Sequence, residues 1–289
     1  MSGKLDMIRR RFNRSAAGDY DAHANVQRAM AESLAELVIG HDVRNGMEVA
    51  KILEIGCGTG ALTLMLRNAW PNSEIMALDV APAMLEEAKR RLRAEVPQTN
   101  LPGKTLKPDV QFLHADVESW AREAPSGRFD LIVSSACFQW LAYPQETLCE
   151  LKRSLRPGGI LAFTTFGAQT FHEPHTAFEL AYCTQGLNPQ RHGLSPRTAE
   201  QWNAMLAAAG FINPQRRQSL RIERYPTVRD FLHSIKAVGA SASEASPSGR
   251  ISLRRLFHDM FHHYETRYGG PNGVSATYEL LLLQGFAPK

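Results

Sequence analysis

Glycines 56, 58 and 60, in the run ILEIGCGTGAL, sit where an apolar segment gives way to a helix start. Glycine lets the backbone turn with positive φ and come close to a ligand at a helix N-terminus. Gly56, Gly58 and Ala61 also satisfy the relaxed dinucleotide pattern GxGxxG/A. Asp79 closes the next apolar run, SEIMALD, about 20 residues on, where a carboxylate accepts hydrogen bonds from ribose hydroxyls. Asp116 ends VQFLHAD. A carboxylate there serves an adenine amino group or caps the helix that follows. Further on, FDLIVSS leads into ACFQWLAYP, which places Gln139 and Trp140 just past a buried strand. An amide and an indole N–H side by side are donors suited to an anion. The other reading is that Trp140 packs for area and Gln139 faces solvent.

These residues need a frame, and the pattern supplies one. KILEIG, SEIMALD, VQFLHAD, FDLIVSS and ILAFTTFG read as strands. ALTLMLRNAW, APAMLEEAKRRLRAEV and YPQETLCELKRSLRPGG read as the helices between them, the last stopped by Pro157, Gly158 and Gly159. Strands alternating with helices predict a doubly wound α/β fold with a mostly parallel sheet covered on both faces. Residues 25–39 carry apolar positions at helical spacing. SPRTAEQWNAMLAAAGF is a further helix, RRQSLRIERY a strand, and SATYELLLLQGFAP a closing strand. The mainly helical stretch between those strands, 226–270, is expected to cap the sheet. The His-, Pro- and Gln-rich stretch 168–196 reads in part as loop joining that cap, and 240–250 as linker.

Hydrophobic residues make up 44% of the chain and charged ones 21%, which excludes disordered and fibrous classes. The length suits one large domain with insertions. A net charge of +4 is too mild for a nucleic-acid tail. The arginines cluster, however, at 9–14, 216–224 and 250–255, and such clusters are either solvated faces or docking surfaces for an acidic partner. Cys57, Cys137, Cys149 and Cys183 form no CxxC pair, and His172, His175, Cys183 and His192 match no zinc spacing, so no metal is expected. MSGKLDMIRRRFNRSAAG lacks the apolar run of a secretory signal, and no stretch is long enough to cross a bilayer. A cytoplasmic protein without membrane contact is expected.

LEIGCGTG, ALDVAPAML, HADVE, FDLIVSSACFQWL and LRPGGILAFTTFG occur in the order and spacing of class I S-adenosylmethionine-dependent methyltransferases, and residues 50–170 resemble that family. The resemblance implies a seven-stranded, mostly parallel Rossmann-like sheet with a reversed last strand. It implies S-adenosylmethionine as methyl donor and S-adenosylhomocysteine as product. By the same resemblance Glu54, Gly56, Gly58 and Gly60 border the amino-acid part of the cofactor and Asp79 holds its ribose. Val80 and Met84 pack near the adenine, Asp116 and Val117 contact its edge, and Ser134 lies by the methionine portion. A short-chain dehydrogenase is disfavoured, because no Tyr has a Lys four residues later. Nucleic-acid methylation is disfavoured too: SSACFQW stands where amino-methylating DNA enzymes resemble one another in an Asn/Asp-Pro-Pro-Tyr segment.

FQWL resembles the segment that orients the acceptor in carboxyl methyltransferases. A carboxylate with a pKa of about 4 is already ionised at neutral pH and needs no base. A phenol or amine acceptor would need one, and His23 is the candidate for that rival reading. FNRSAAGDYDAHANVQRAMAESL, FQWL, TFGAQTFHE, HSIKAVGA and TYELLLLQGF together resemble the malonyl-acyl carrier protein O-methyltransferases of biotin synthesis over nearly the whole chain, with Ser241 where that family usually has Asn. The resemblance implies methyl transfer to the free carboxylate of a malonyl thioester, whose ester then primes pimeloyl synthesis, with an acyl carrier protein as partner. Residues 1–40 would form a helical lid, with Tyr20 as a polar lid contact, Gln27 as a cofactor or anion contact, and Trp140 and Gln139 orienting the acceptor. Arg191 and Lys236 are the candidates to meet the substrate carboxylate. The alternatives are methylation of another small acid or a phenol, or a cofactor-binding assembly factor without catalysis.

Overall fold

The computed structural model describes residues 2–16, 20–45, 49–95, 110–240 and 253–289. The N-terminal part is helical: α1 (Ser2–Ala16), α2 (Tyr20–His23) and α3 (Asn25–Asn45). Then β1 (Lys51–Ile55), α4 (Ala61–Ala69), β2 (Glu74–Asp79), α5 (Pro82–Ala94), β3 (Gln111–His114), α6 (Val117–Glu123) and β4 (Phe129–Ser135) alternate. A 3₁₀ turn, Phe138–Trp140, leads to α7 (Pro144–Ser154) and β5 (Leu155–Phe166). The rest is α8 (His172–Thr184), α9 (Ala199–Ala208), β6 (Ile212–Tyr225), α10 (Val228–Ala237), α11 (Leu253–Tyr268), β7 (Gly269–Gly270) and β8 (Gly273–Phe286).

The sheet runs β3-β2-β1-β4-β5-β8-β6, with the two-residue β7 paired to β8 as an eighth strand. β1 to β5 are parallel, and β8 runs antiparallel to both β5 and β6. The parallel centre explains the run-like strands. β1, β2 and β4 are buried at nearly every position because helices cover both faces. On one face Leu34 and Val38 of α3 and Leu62 and Leu66 of α4 pack on Ile52, Leu131 and Ile160. On the other, Leu148 and Leu151 of α7 and Trp202 and Leu206 of α9 pack on Leu53, Ile132 and Phe163. A separate core joins α8, α10 and α11 to β8 through Phe178, Tyr182, Phe231, Met260, Tyr264 and Tyr278.

The boundaries differ from the sequence expectation in places. The helix before β5 ends at Ser154, and the strand already contains Arg156 to Gly159. Gly158 takes φ +75°, and a β-carbon on Gly159 would lie 2.9 Å from the Arg156 carbonyl oxygen, so the glycines shape an irregular strand start rather than only stopping a helix. Residues 172–184, within the stretch expected to be partly loop, form α8. Ala177, Phe178, Ala181 and Tyr182 repeat at helical spacing and are buried, and Pro174 sits in the first turn, where its missing N–H costs nothing. Residues 241–250 and Ser241 lie outside the described residues. Among the described residues no helix is long and apolar enough to cross a membrane.

Trp202 is fully buried and packs edge-on to Phe163 at 5.3 Å and against Phe138 at 6.1 Å. Phe138 in turn stacks on Phe163 at 4.5 Å, so this aromatic group supports the turn that carries Trp140. Trp202→Ala is expected to cost about 3–5 kcal/mol, seen as a lower urea midpoint.

Candidate active site

The glycine turn is built by its backbone. Gly56, Gly58 and Gly60 take φ of +68°, +53° and +82°. The N–H groups of Gly56 and Cys57 both donate to the Leu78 carbonyl oxygen, at 2.8 and 3.1 Å, which ties the turn to the end of β2. A β-carbon on Gly56 would lie 2.6 Å from Cys137 Sγ, so only glycine fits the close passage between the ends of β1 and β4. Gly60 has another task. A β-carbon there would lie 2.9 Å from the Ala88 methyl, so Gly60 lets α4 approach α5 and is not part of the cleft wall.

A cleft lies over the carboxyl ends of β1 to β4, the usual ligand position in open α/β sheets. Its lining includes Glu54, Gly56 and Gly58 of the turn, and Asp79, Val80 and Met84 after β2. Asp116 and Val117 stand at the third strand end, and Trp140 borders the far side. Tyr20 and Gln27 reach it from α2 and α3, and Leu5, Ile8 and Phe12 of α1 close the same side.

Asp79 is buried and accepts from Gly58 N–H at 2.9 Å through Oδ2 and from Ala81 N–H at 2.8 Å through Oδ1. Each carboxylate oxygen keeps lone-pair capacity for a hydroxyl. Burial outweighs those two N–H groups and raises its pKa. Asp116 does cap α6, accepting from the N–H groups of Glu118 (3.4 Å) and Ser119 (3.0 Å), yet it also lines the cleft. The cap reading of Asp116 thus holds, and the same residue stands on the cleft wall. Glu54 is buried, and its Oε2 has no hydrogen-bond partner among the described residues. Burial, with the Asp79 charge adding to it, pushes its carboxyl up to about 8.

Ser134 is a correction. Its hydroxyl donates to the Ile55 carbonyl oxygen at 2.9 Å in the sheet interior, and its neighbours Ser135 and Ala136 line the cleft instead. Successive strand residues face opposite ways, so a shift of one position reverses the side that is wetted. Gln139 is a second. Its Nε2 donates to the Ala136 carbonyl oxygen at 2.6 Å and its Oε1 accepts from Thr165 Oγ1 at 2.9 Å. Ala136 has φ +50°, a strained value for a non-glycine residue, and the Gln139 amide braces that turn. One N–H of Gln139 remains for the neighbouring cavity.

That cavity, of about 430 Å³, lies between the sheet and the α8–α10–α11 cap. It shares Phe12, Tyr20, Gln27, Ala136 and Trp140 with the first cleft. At this junction the Tyr20 hydroxyl, Gln27 amide and Trp140 indole N–H make no side-chain hydrogen bond among the described residues. Burial, with Asp79 and Asp21 adding to it, raises the Tyr20 pKa well beyond the usual phenol range, so it stays a donor. Elsewhere the chamber is apolar and aromatic. Burial pushes His175 down to about 4 and lowers His192, so both imidazoles are neutral at pH 7. His23 also lines this chamber, its ring edge-on to His233 at 5.7 Å. Neither cation candidate reaches the junction. Arg191 is exposed and donates to the Leu194 carbonyl oxygen, and Lys236 lines the chamber from its exposed position on α10. His172, Cys183 and their neighbours bring no three metal-type ligands together among the described residues.

Residues that sequence reasoning missed fasten the N-terminal helices to the turn. Asp21 accepts from Thr59 Oγ1 at 2.8 Å and pairs with Arg91 of α5. Asn13 Oδ1 accepts from Ala83 N–H at 3.0 Å, capping α5 from another helix. Glu118 accepts from Ala142 and Tyr143 N–H groups and so anchors the segment after Trp140. The polar Thr59 inside the glycine run was the one visible signal. Its partner lay 38 residues away.

Sheet order, glycine turn and paired strand-end acids define a class I methyltransferase. A family model described as a methyltransferase domain matches residues 53–163. The YcgJ protein of Bacillus subtilis shares the fold, with a TM-score of 0.60 at 16% identity over 89% of this chain and 99% of that one. A malonyl-[acyl-carrier protein] O-methyltransferase of Paenibacillus sp. (strain JDR-2) is 50% identical over 98% of this chain and 99% of the relative. One from Brevibacillus brevis is 39% identical over 98% and 96%. The chain belongs to the malonyl-[acyl-carrier protein] O-methyltransferase family.

S-adenosylmethionine is the methyl donor of this class of enzyme. The cleft fits it: a buried carboxylate oxygen on Glu54, unpartnered among the described residues, suits an ammonium group, and a β-carbon on Gly58 would meet nothing within 4 Å, so the cleft is open there. An acid with a raised pKa must lose its proton to meet an ammonium. S-adenosylhomocysteine affinity is therefore expected to rise with pH up to about 8, the Glu54 value, and the slope to vanish in Glu54→Gln, as calorimetry from pH 6 to 9 would show. In the apo protein the same shift works against stability. An unfolded Glu ionises near its ordinary value, so stability falls as pH rises from about 4.5 to about 8. Glu54→Gln is expected to remove that fall in thermal melts.

Proposed function

We propose that the enzyme transfers the methyl group of S-adenosylmethionine to the free carboxylate of malonyl-acyl carrier protein. The observation that carries this reading is the junction of the two cavities, where Tyr20, Gln27 and Trp140 offer uncharged donors and, among the described residues, no cation is shared. The names of the family relatives support the substrate. When bound, the cofactor supplies an electrophilic methyl on a sulfonium centre. The protein's task is to place an anion beside it and exclude water.

Neutral donors suit that task. An Arg ion pair would hold the carboxylate charge too strongly and make its oxygen a poorer nucleophile. O–H and N–H donors orient one oxygen and leave the other reactive. An anion meeting a cation loses charge on the way to products, so an apolar chamber of low dielectric favours the reaction. No general base is required, because the acid is ionised already. In this reading Gln139 positions Trp140 through the Ala136 turn, and residues 1–40 act as the lid. Asp79 holds the ribose, and Asp116 and Val117 face the adenine with Val80 and Met84. The uncharged ester would then serve as a primer for chain extension toward pimeloyl groups and biotin.

A mass-spectrometric assay tests this directly. Malonyl-acyl carrier protein should gain one methyl and acetyl-acyl carrier protein none; no methyl on either, with cofactor bound, would sink the proposal. Trp140→Phe should lower kcat by about 10-fold or more, the value of a hydrogen bond to a charged group, with S-adenosylhomocysteine affinity nearly unchanged. Equal loss of both would assign Trp140 to cofactor binding.

A further inference from the structure

We infer that α1 is the docking platform for the acidic carrier protein, and that docking there couples carrier recognition to closure of the cofactor cleft. The inference rests on the proposed substrate. Its first support is where the charge sits. The α1 segment, SGKLDMIRRRFNRSA, contains five basic residues and one acidic residue. That excess equals the formal net charge of the whole chain, +4, so the remainder is balanced. Of the three arginine clusters, only this one lies on a helix that lines the cofactor cleft.

The two faces of α1 differ in kind. Leu5, Ile8 and Phe12 point into the cofactor cleft, and Phe12 also borders the acceptor chamber, edge-on to Trp140 at 5.6 Å. Arg10 and Arg14 are four apart and project from the opposite face. Both are exposed, with no ion-pair partner among the described residues. Arg11 keeps Nη1 buried without a hydrogen-bond partner among the described residues. Asp6 pairs with Arg9, at 2.8 Å.

The helix is also wired to the chamber mouth. A β-carbon on Gly239, just past α10, would lie 3.0 Å from the Phe12 ring, so α1 packs closely on that helix end. Among the described residues, Lys236 of α10 is the one Asp, Glu, Lys or Arg in the chamber lining, and it is exposed. An acidic carrier seated on α1 beside Lys236 would thread its malonyl arm into the chamber and press Phe12 onto Trp140. Complementary fields of this kind act on encounter and specificity.

Arg10→Glu/Arg14→Glu in the full chain tests this against malonyl-acyl carrier protein and the carrier-free thioester malonyl-pantetheine. Expected is a fall of about 10-fold or more in kcat/KM for the carrier substrate, with a weakened dependence on ionic strength. Turnover of malonyl-pantetheine and binding of S-adenosylhomocysteine should stay as in wild type, and Arg10→Lys/Arg14→Lys should restore the carrier rate. Equal loss on both substrates, or no loss on either, overturns the docking surface and leaves the proposed function standing. A wild-type enzyme that never methylates malonyl-acyl carrier protein overturns both.

Discussion

One buried carboxylate holds the site together. Asp79 accepts the N–H of Gly58 from the turn after β1 and the N–H of Ala81 ahead of α5, so it joins two strand ends and the helix starts beyond them. It can do so only because Gly56 and Gly58 adopt positive φ, which brings the turn back over β2. Burying a charge is costly unless it is well hydrogen-bonded, and those N–H groups offset part of the cost. The arrangement is thereby pre-set to receive hydroxyl groups at the same carboxylate. Glu54, one strand away, is buried with an oxygen left over and has its carboxyl displaced upward. The two acids differ in partners: two N–H groups hold Asp79, whereas Glu54 keeps an unpartnered oxygen among the described residues.

Around this centre the two cavities differ in character. The cofactor cleft is ringed by acids and backbone, whereas the second chamber is aromatic, with His175 and His192 neutral and, among the described residues, a single Lys at an exposed position. The junction between them is narrow in chemistry: a phenol, an amide and an indole N–H. Uncharged donors of this kind are suited to orienting an anion without neutralising it. The strained Ala136 and the inward-bonded Gln139 show how the chain holds Trp140 at that point, with Glu118 anchoring the segment beyond.

The N-terminal helices are attached by few, specific links. Asp21 to Thr59 and Arg91, and Asn13 to the N-terminus of α5, fix α1 and α2 over the cleft, while apolar contacts of Phe12, Ala16 and Met84 fill the space beneath. Polar latches on an apolar underside are what a cover needs if ligands must enter below it, since each latch is worth only a modest net free energy.

Much of this was legible in the residues alone. Glycine's access to positive φ, apolar runs of strand length and acids at strand ends are local signals. They located the turn, Asp79, Asp116 and the parallel sheet. The polar residues after FDLIVSS marked the meeting of the two cavities, and the resemblance identified the class. What only the tertiary structure decided depends on direction and distance. Ser134 rather than Ser135 turned inward because strand side chains alternate. Gln139 found partners in Ala136 and Thr165, which no local pattern reveals. Gly60 answered to Ala88 of a neighbouring helix, and α8 formed where polar composition suggested loop because its few apolar residues meet a core made by α10, α11 and β8. The position of Lys236 on an exposed face of the chamber, away from the junction, was likewise set by packing between elements far apart in the chain, where periodicity carries no information.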